Sequence, residues 1–351
     1  MTAALHAPQR VLIIRLSAIG DVVMASGLIP ALREIHPQAC IAWLVEPAAA
    51  PLLRHNPRLD EVIVLPRDEW QSLWRARRPV ALLRSVLTFR RALRARRFDV
   101  AIDAQGLFKS GLCAWWSGAA RRVSLIGREG SQWLMTERVM PKPDPLKPIA
   151  TEYRSLARHL GATGAYRMDL AVGDAPRAAA ALALTAAGVR GPYAVLCPYT
   201  TRPQKHWFDE RWAALARQLA AEGVTPVLLG GPSDAVLAPG IAVHAEGMIN
   251  LVGRLKLDDT VAVIAGSSLL VGVDTGLTHM GSALNVPTVA LFGSTRPYLD
   301  ARVPRTAVLY AALHCSPCRR HPTCDGRYDC MRAFDVDTVL SAARSVLQLP
   351  A

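Results

Sequence analysis

The sequence contains no uninterrupted apolar stretch long enough to span a bilayer. Its N-terminal segment, MTAALHAPQRVLIIRL, also lacks the basic, apolar and cleavable regions of a signal peptide, because Arg10 and Arg15 flank the apolar run. No segment has the composition of a disordered tail, and no tandem repeat is evident. We therefore expect a soluble, cytoplasmic chain, and 351 residues are enough for two domains of ordinary size.

Two common phosphate-binding motifs are also missing. The first strand-to-helix turn, SAIGD, has one glycine where a dinucleotide fingerprint needs several, and no P-loop with Gly-Lys-Ser/Thr occurs. These absences argue against NAD-dependent and ATP-cleaving enzymes.

Acidic residues are few compared with basic ones, 28 against 41, which gives a formal net charge of +13. Such a balance favours an anionic partner, and nucleic acid is not expected because no recognisable nucleic-acid-binding module accompanies the charge. Many of the arginines lie in residues 75–98, where they alternate with Leu, Val and Phe. This pattern is compatible with docking on lipid headgroups or with a solvated helix whose arginine stems cover its neighbours.

Strand-like and helical segments alternate along both halves of the chain. Buried strands are predicted at VLIIRL, IAWLV, EVIVL and DVAIDA, and then at YAVLC, TPVLL, NLVG, LLVGV and TVALF. The pattern predicts an α/β protein with two doubly wound parallel sheets facing a cleft. We place the domains at residues 1–170 and 171–351, with a proline-rich loop at residues 141–150 near the boundary. The final helix is expected to close the second domain or to pack back on the first.

Asp21 lies at the turn between the first strand and the first helix. It could cap the helix, or it could be a catalytic carboxylate at the carboxyl edge of a parallel sheet, where open α/β folds bind ligands. The stretch DAQGLFKSG ends a later strand of the same half, so Asp103, Gln105 and Lys109 are expected at that edge as a polar binding wall.

A phosphate or diphosphate site is predicted in the second half. In CPYTTRPQKHW, the hydroxyls of Thr200 and Thr201 and the ammonium of Lys205 follow a strand and suit an anionic group. An enzyme that transfers a group from a nucleotide-activated donor to an acceptor hydroxyl would combine this site with Asp21 as general base.

A second strand end, in LLVGVDTGLTHMGS, supports the same prediction. The backbone N–H groups of Thr275 and Gly276 begin a helix and favour an anion. His279 could donate a hydrogen bond to that anion, while Asp274 suits sugar hydroxyls.

Taken in order, SAIGDV, DAQGLFKSG, TTRPQKHW and GVDTGLTH resemble the motifs of the lipopolysaccharide heptosyltransferases of glycosyltransferase family nine, the first type in particular. The resemblance spans nearly the whole chain. It implies a GT-B fold, inversion at the anomeric carbon, ADP-heptose as donor, and neither a catalytic metal nor another required cofactor. It also implies an inner-core glycolipid acceptor, Kdo-lipid A or heptosyl-Kdo-lipid A, and peripheral attachment at the cytoplasmic face of the inner membrane.

The resemblance also implies roles for single residues. Asp21 matches the proposed base, and Lys205 matches a catalytic group. Asp234, in GGPSDA, falls where the family has an acid suited to the adenosine ribose, although Glu is more usual there. The donor-binding set is Thr200, Thr201, Lys205, Asp234, Asp274, Thr275, Gly276 and His279, and the acceptor-binding set is Asp103, Gln105, Lys109, Arg75, Arg77 and Arg78.

The acceptor-binding region departs from the pattern of the first-type enzymes. Heptosyltransferases of the first type have a basic cluster just after the third strand, whereas this chain has RDEWQSLW there and its arginines come slightly later. A family-nine transferase with another acceptor, a protein or an outer sugar, stays open, as does a non-catalytic relative that binds nucleotide sugars. The presence of both Asp21 and Lys205 favours an active enzyme.

Four of the seven cysteines lie in one stretch, CSPCRRHPTCDGRYDC. In a cytoplasmic chain such a cluster binds metal more often than it forms disulfides, and thiolates suit zinc or iron. A similar stretch in second-type heptosyltransferases does not establish a bound metal. The sequence therefore leaves open a structural metal site without a free ligand position, formed by Cys315, Cys318, Cys324 and Cys330.

Overall fold

The chain forms two compact units in the computed structural model, which describes residues 9–141, 149–295, 298, 303–318 and 321–348. The first unit comprises residues 9–141 and Ala150–Ala171, and the second comprises Ile149 and the described residues from Val172 onward. Most of the predicted proline-rich loop, residues 142–148, lies outside the described residues.

The first unit is built on a parallel sheet of six strands in the order β3-β2-β1-β4-β5-β6. Its central strands are buried along their length because helices cover both faces of the sheet, which suits branched aliphatic residues. The strands are β1 Arg10–Ile14, β2 Cys40–Val45, β3 Glu61–Val64, β4 Val100–Asp103, β5 Arg121–Leu125 and β6 Glu137–Val139. The helices are α1 Ile19–Ala25, α2 Leu28–Ile35, α3 Arg67–Arg75, α4 Pro79–Ala95, α5 Phe108–Ser117 and α6 Thr151–His159.

The second unit has the same architecture, with six parallel strands in the order β12-β11-β10-β7-β8-β9. The strands are β7 Tyr193–Cys197, β8 Thr225–Leu228, β9 Ile249–Asn250, β10 Leu269–Val273, β11 Thr288–Phe292 and β12 Thr306–Tyr310. The helices are α7 Asp174–Ala186, α8 Asp209–Ala221, α9 Ala238–Ala242, α10 Leu257–Ala265, α11 Gly276–Ala283, α12 Asp329–Arg332 and α13 Val336–Gln348.

Each unit has its own hydrophobic core between sheet and helices. The final helix, α13, contributes Val339, Leu340, Ala343 and Val346 to the core of the second unit and packs against β10, β11, β12 and α8. None of the described helices combines the length and the apolar character that crossing a bilayer requires.

The predicted α/β class with two parallel sheets is confirmed. The sequence patterns missed β5, β6 and β12. Strand β5 begins with Arg121 and Arg122, and β6 is only three residues long. Such segments become strands because neighbouring strands pair with them, which local composition does not reveal.

Candidate active site

The strand order of each sheet reverses once, and the loops at that reversal contain most of the predicted site residues. In the first unit the chain runs outward from β1 to β3 and then from β4 to β6, so β1 and β4 are neighbours. In the second unit β7 and β10 are neighbours for the same reason. Connections that leave such a strand pair on opposite sides open a crevice at its carboxyl end, where open α/β sheets bind ligands.

Asp21 lies in the first turn of α1, directly after β1. Its Oδ2 atom accepts a hydrogen bond from the backbone N–H of Ala18 (3.3 Å), so Asp21 does cap the helix. The same oxygen lies 2.6 Å from Nη2 of Arg15, and the Asp21 side chain is 38% exposed. Capping therefore leaves the carboxylate accessible, and the two interpretations of Asp21 are compatible.

Arg15, the single charged residue of the VLIIRL run, connects Asp21 to the loop after β4. Its Nη1 donates a hydrogen bond to the carbonyl oxygen of Ala104 (3.1 Å), and its guanidinium lies 5.8 Å from the ring centre of Tyr153. Burial raises the pKa of Tyr153 well above its usual value, so the phenol beside Arg15 and Asp21 remains protonated. Neither residue was predicted from the sequence; a charge within a buried strand-like run was the available signal for Arg15.

The β4 loop holds Asp103 and Gln105 in structural contacts. The Oδ1 atom of Asp103 accepts hydrogen bonds from the N–H groups of Gln105 and Gly106, both at 2.9 Å. Gln105 Oε1 in turn accepts a hydrogen bond from the N–H of Leu16 (3.0 Å), which ties the loops after β1 and β4 together. Asp103 has no exposed surface, so it supports the turn. The sequence had instead placed Asp103 in a polar binding wall, and its burial does not agree with that expectation.

Burial also changes the acidity of Asp103. Loss of solvent raises its pKa to about 6, although the two backbone N–H groups, the Ser110 hydroxyl and the charge of Arg15 act in the opposite direction. Its Oδ2 atom is buried without a hydrogen-bond partner among the described residues. The turn also needs glycine at position 106, where φ is +69° and an added Cβ would lie 2.2 Å from the carbonyl oxygen of Leu125.

Lys109 belongs to a charged group that the sequence did not reveal. Its Nζ lies 2.8 Å from Oε1 of Glu46, and Nη1 of Arg67 lies 3.1 Å from Oε2 of the same carboxylate. The Glu46 side chain is only 6% exposed, whereas about half of each cation is accessible. Two cations on one buried carboxylate present a net positive charge, which suits an anionic ligand. An acid directly after the strand IAWLV was the available signal for Glu46.

In the second unit, Lys205 and Asp274 meet across the β7–β10 reversal. Lys205 Nζ donates to Oδ2 of Asp274 (2.5 Å), as does the hydroxyl of Thr295 (2.5 Å). Both partners of the ion pair are largely buried, at 14% and 15% exposure. Burial alone would raise the pKa of Asp274, but His279 and Lys205 outweigh it and hold the pKa well below the usual range. Asp274 is therefore ionised and orients the ammonium of Lys205.

His279, on α11, is enclosed by protein groups. Its Nε2 lies 3.5 Å from Oδ1 of Asp274, and its Nδ1 is 3.2 Å from the hydroxyl of Tyr298. Thr275 precedes α11 as its N-cap residue and Gly276 is its first residue. A hydrogen bond from His279 to a donor anion stays a prediction.

The other residues predicted to bind the donor, Thr200, Thr201 and Asp234, contact different groups. Thr200 and Thr201 line an open cavity of about 570 Å³ together with His206, whose Nε2 is 2.8 Å from the carbonyl oxygen of Thr200. Asp234 accepts a hydrogen bond from the N–H of Gly231 (2.8 Å) and so caps a short 3-10 turn. Its role at a ribose stays a prediction.

The described residues give no support to a metal site in the cysteine stretch. Within the described ranges, His, Cys, Asp and Glu side chains nowhere form a group of three or more that could hold a metal ion. Cys315, Cys318, Cys324 and Cys330 are free thiols. Burial raises the pKa of Cys318 and of Cys330. The structural zinc or iron site that the sequence left open is therefore not supported.

Comparison with known proteins identifies the class of protein. The chain resembles the crystal structure of a family 9 glycosyl transferase from Veillonella parvula (TM-score 0.83, 20% identity, 97% of each chain covered). It also resembles E. coli heptosyltransferase WaaC with ADP-2-deoxy-2-fluoro heptose (TM-score 0.68, 26% identity, 95% of this chain and 98% of that one). The two sheets with their helices are those of a GT-B glycosyltransferase, as predicted.

The family follows from the sequence comparisons. The model of glycosyltransferase family 9 (heptosyltransferase) matches residues 86–328, and the chain belongs to this family. Lipopolysaccharide heptosyltransferase 1 of Pseudomonas aeruginosa is 30% identical over 316 residues, 88% of this chain and 86% of the relative. Lipopolysaccharide heptosyltransferase 2 of E. coli K12 is 29% identical over 304 residues, 82% and 84% respectively. The protein is therefore an enzyme that transfers a glycosyl group, as predicted.

Proposed function

We propose that this enzyme transfers heptose from ADP-heptose to the lipopolysaccharide inner core, with inversion at the anomeric carbon. The acceptor is Kdo-lipid A or heptosyl-Kdo-lipid A, and the enzyme works peripherally at the cytoplasmic face of the inner membrane. The observation that carries the proposal is the accessible carboxylate of Asp21, which Arg15 and a helix N-terminus hold at the carboxyl edge of a parallel sheet. Family membership and the ADP-sugar analogue in the WaaC structure support the choice of donor.

Asp21 acts as the general base. It accepts the proton of the acceptor hydroxyl while that oxygen forms a bond to the anomeric carbon of heptose and the bond from this carbon to the diphosphate oxygen breaks. Arg15 fixes the orientation of the carboxylate, since it is itself fixed by the carbonyl oxygen of Ala104. Attack from the face opposite the leaving group accounts for inversion.

Lys205 stabilises the negative charge that develops on the departing ADP. Its ammonium is already oriented by Asp274, so little reorganisation is needed when the charge appears. The hydroxyls of Thr200 and Thr201 and the helix start at Thr275 and Gly276 add hydrogen-bond donors for the diphosphate. Asp234 binds the adenosine ribose. With these groups the reaction needs no catalytic metal.

Lys109 and Arg67 recognise the acceptor. Both are half exposed beside Glu46, and a cationic pair suits the carboxylates and phosphates of an inner-core glycolipid. Gln105 contributes by fixing the loop after β1.

A transfer assay with defined substrates tests the proposal. Purified enzyme is incubated with ADP-heptose and, separately, Kdo-lipid A, heptosyl-Kdo-lipid A and a protein acceptor, with ADP-glucose as control donor. Mass spectrometry should show one added heptose on one of the two glycolipids and none from ADP-glucose. Transfer to the protein acceptor alone, or no transfer despite ADP binding, would replace the proposal by the alternative acceptor or by a non-catalytic relative.

A further inference from the structure

Helices α3 and α4 pack against each other as a helical hairpin, and residues 74–80 form its tip. Every residue of the hairpin tip is exposed. Trp74 is 74% exposed and Val80 is 63% exposed. A large aromatic ring exposed at the end of a helical hairpin offers its apolar area to a partner surface.

The hairpin tip is also strongly cationic. Arg75, Arg77 and Arg78 surround a cavity of about 520 Å³ together with Trp74 and Pro79. Residues 70–98 contain no Asp or Glu. Within the described part of the chain, the side chains of these three arginines make neither an ion pair nor a hydrogen bond.

Other arginines of the hairpin differ in this respect. Arg67 pairs with Glu46, and Arg96 lies 2.6 Å from Glu61. Arg90 lies 5.3 Å from the ring centre of Trp115. These three side chains have partners within the first unit. The interpretation of the arginines as side chains that cover their neighbours therefore applies to them and not to the hairpin tip.

Helix α4 extends the exposed surface of the tip. Val80, Leu83, Arg84 and Arg91 lie on one side of the helix by their spacing, and all four are exposed. The opposite side packs inward, where Phe89 contacts Trp70 edge to face at 5.5 Å. The outer side thus presents apolar and cationic side chains together, and cationic side chains are attracted to anionic headgroups.

We propose that the hairpin tip docks the enzyme on a bilayer with anionic headgroups, with Trp74 at the level of the headgroups and Arg75, Arg77 and Arg78 on lipid phosphates. Aromatic rings favour this level of a membrane, and each basic residue near an anionic surface adds to the attraction. The inference deepens the proposed function because it explains how a glycolipid acceptor is met, and it assigns Arg75, Arg77 and Arg78 to the surface that holds the acceptor.

Vesicle co-sedimentation without donor or acceptor tests the docking, so its outcome is independent of heptose transfer. The vesicles are phosphatidylcholine with or without phosphatidylglycerol. The triple variant Arg75→Gln/Arg77→Gln/Arg78→Gln should lose about a hundredfold in affinity for the anionic vesicles, from about a factor of five per arginine. Its matched control, Arg177→Gln/Arg190→Gln/Arg254→Gln, removes the same charge from exposed sites of the second unit and should bind nearly as the wild type does.

The contribution of the ring is measured separately. Trp74→Ala should lower the affinity for anionic vesicles by about tenfold through lost apolar burial. Trp133→Ala, which removes a ring that is 83% exposed elsewhere in the first unit, should leave it unchanged. Melting curves of all variants confirm that each is folded.

Three results would overturn the proposal. The first is that the wild type binds anionic vesicles no better than neutral ones. The second is that the two triple variants lose equal affinity, which would indicate an effect of net charge without a defined surface. The third is that the wild type binds an RNA homopolymer more tightly than the vesicles and loses that binding when the tip arginines are replaced.

Discussion

Arg15 and Asp21 form an ion pair at the end of β1, with Nη2 of the arginine 2.6 Å from Oδ2 of the aspartate. The arginine is 11% exposed and the aspartate 38%, so the cation lies behind the carboxylate and the carboxylate faces outward. This arrangement orients an acid at the edge where open α/β sheets bind ligands, and it makes the proposed role of each residue testable.

The substitution Asp21→Asn separates the base from the cap. The amide oxygen of Asn can still accept the hydrogen bond from the N–H of Ala18, but Asn does not accept the acceptor proton at neutral pH. We expect kcat to fall by about 10²–10⁴-fold, while the melting temperature and the ADP affinity from calorimetry stay close to those of the wild type. Near-normal turnover would leave Asp21 with the cap alone.

Arg15→Gln tests the orientation of Asp21. The neutral side chain loses the ion pair while keeping a donor toward the carbonyl oxygen of Ala104. We expect kcat to fall by about tenfold to a hundredfold because a small displacement of a catalytic group is costly, with unchanged ADP affinity. The double variant with Asp21→Asn should be no slower than Asp21→Asn alone. If the losses of kcat in the two single variants instead add up in the double variant, Arg15 acts independently of Asp21.

Lys205→Ala should lower kcat at saturating donor by about 10²–10³-fold and weaken ADP binding. It should also lower the melting temperature, because Asp274 keeps His279 and Thr295 but loses its permanent cation. The control Lys256→Ala removes one exposed lysine from the same unit. If both variants have wild-type kcat and ADP affinity, Lys205 does not contact the leaving group.

Lys109→Ala should raise KM for the glycolipid acceptor by about tenfold or more, since a hydrogen bond to a charged group contributes about 1.5–3 kcal/mol. KM for the donor should not change. Arg96→Ala, which breaks the pair with Glu61 elsewhere in the first unit, provides the comparison. Steady-state kinetics with each substrate varied in turn distinguish the effects, and an unchanged acceptor KM would contradict the assignment.

Asp103 should make stability depend on pH. Its pKa is raised from 3.8 to about 6 in the folded state, so between these values the folded chain holds a proton that the unfolded chain releases. The contribution of Asp103 to the free energy of unfolding is therefore fully present below about pH 4. It falls as the pH rises toward about 6 and then stays constant, and the total loss is up to about 3 kcal/mol.

The variant Asp103→Asn isolates this effect because its amide oxygen still accepts the hydrogen bonds from Gln105 and Gly106. Denaturant unfolding of both proteins across this pH range should show the variant gaining stability relative to the wild type as pH rises. A pH-independent difference would contradict the raised pKa of Asp103.

Much of the fold is predictable from local sequence. Branched aliphatic runs such as RVLII in β1 and LLVGV in β10 are buried on both faces of a sheet, and they favour strands wherever they occur. Because parallel strands place the residues that follow them at one edge, the positions of Asp21, Lys205 and Asp274 at the carboxyl ends followed as well.

Tertiary structure decided the partners of those residues and their exposure. Glu46 meets Lys109 across 63 positions of the chain, and Lys205 meets Asp274 across 69, so no local pattern records either pair. Asp103 lies at the end of a strand, where the sequence predicts an exposed acid. The left-handed turn at Gly106 instead directs backbone N–H groups onto its carboxylate and buries it. Residue type and strand position thus specify where polar groups collect, whereas long-range packing determines which of them face each other and which face solvent.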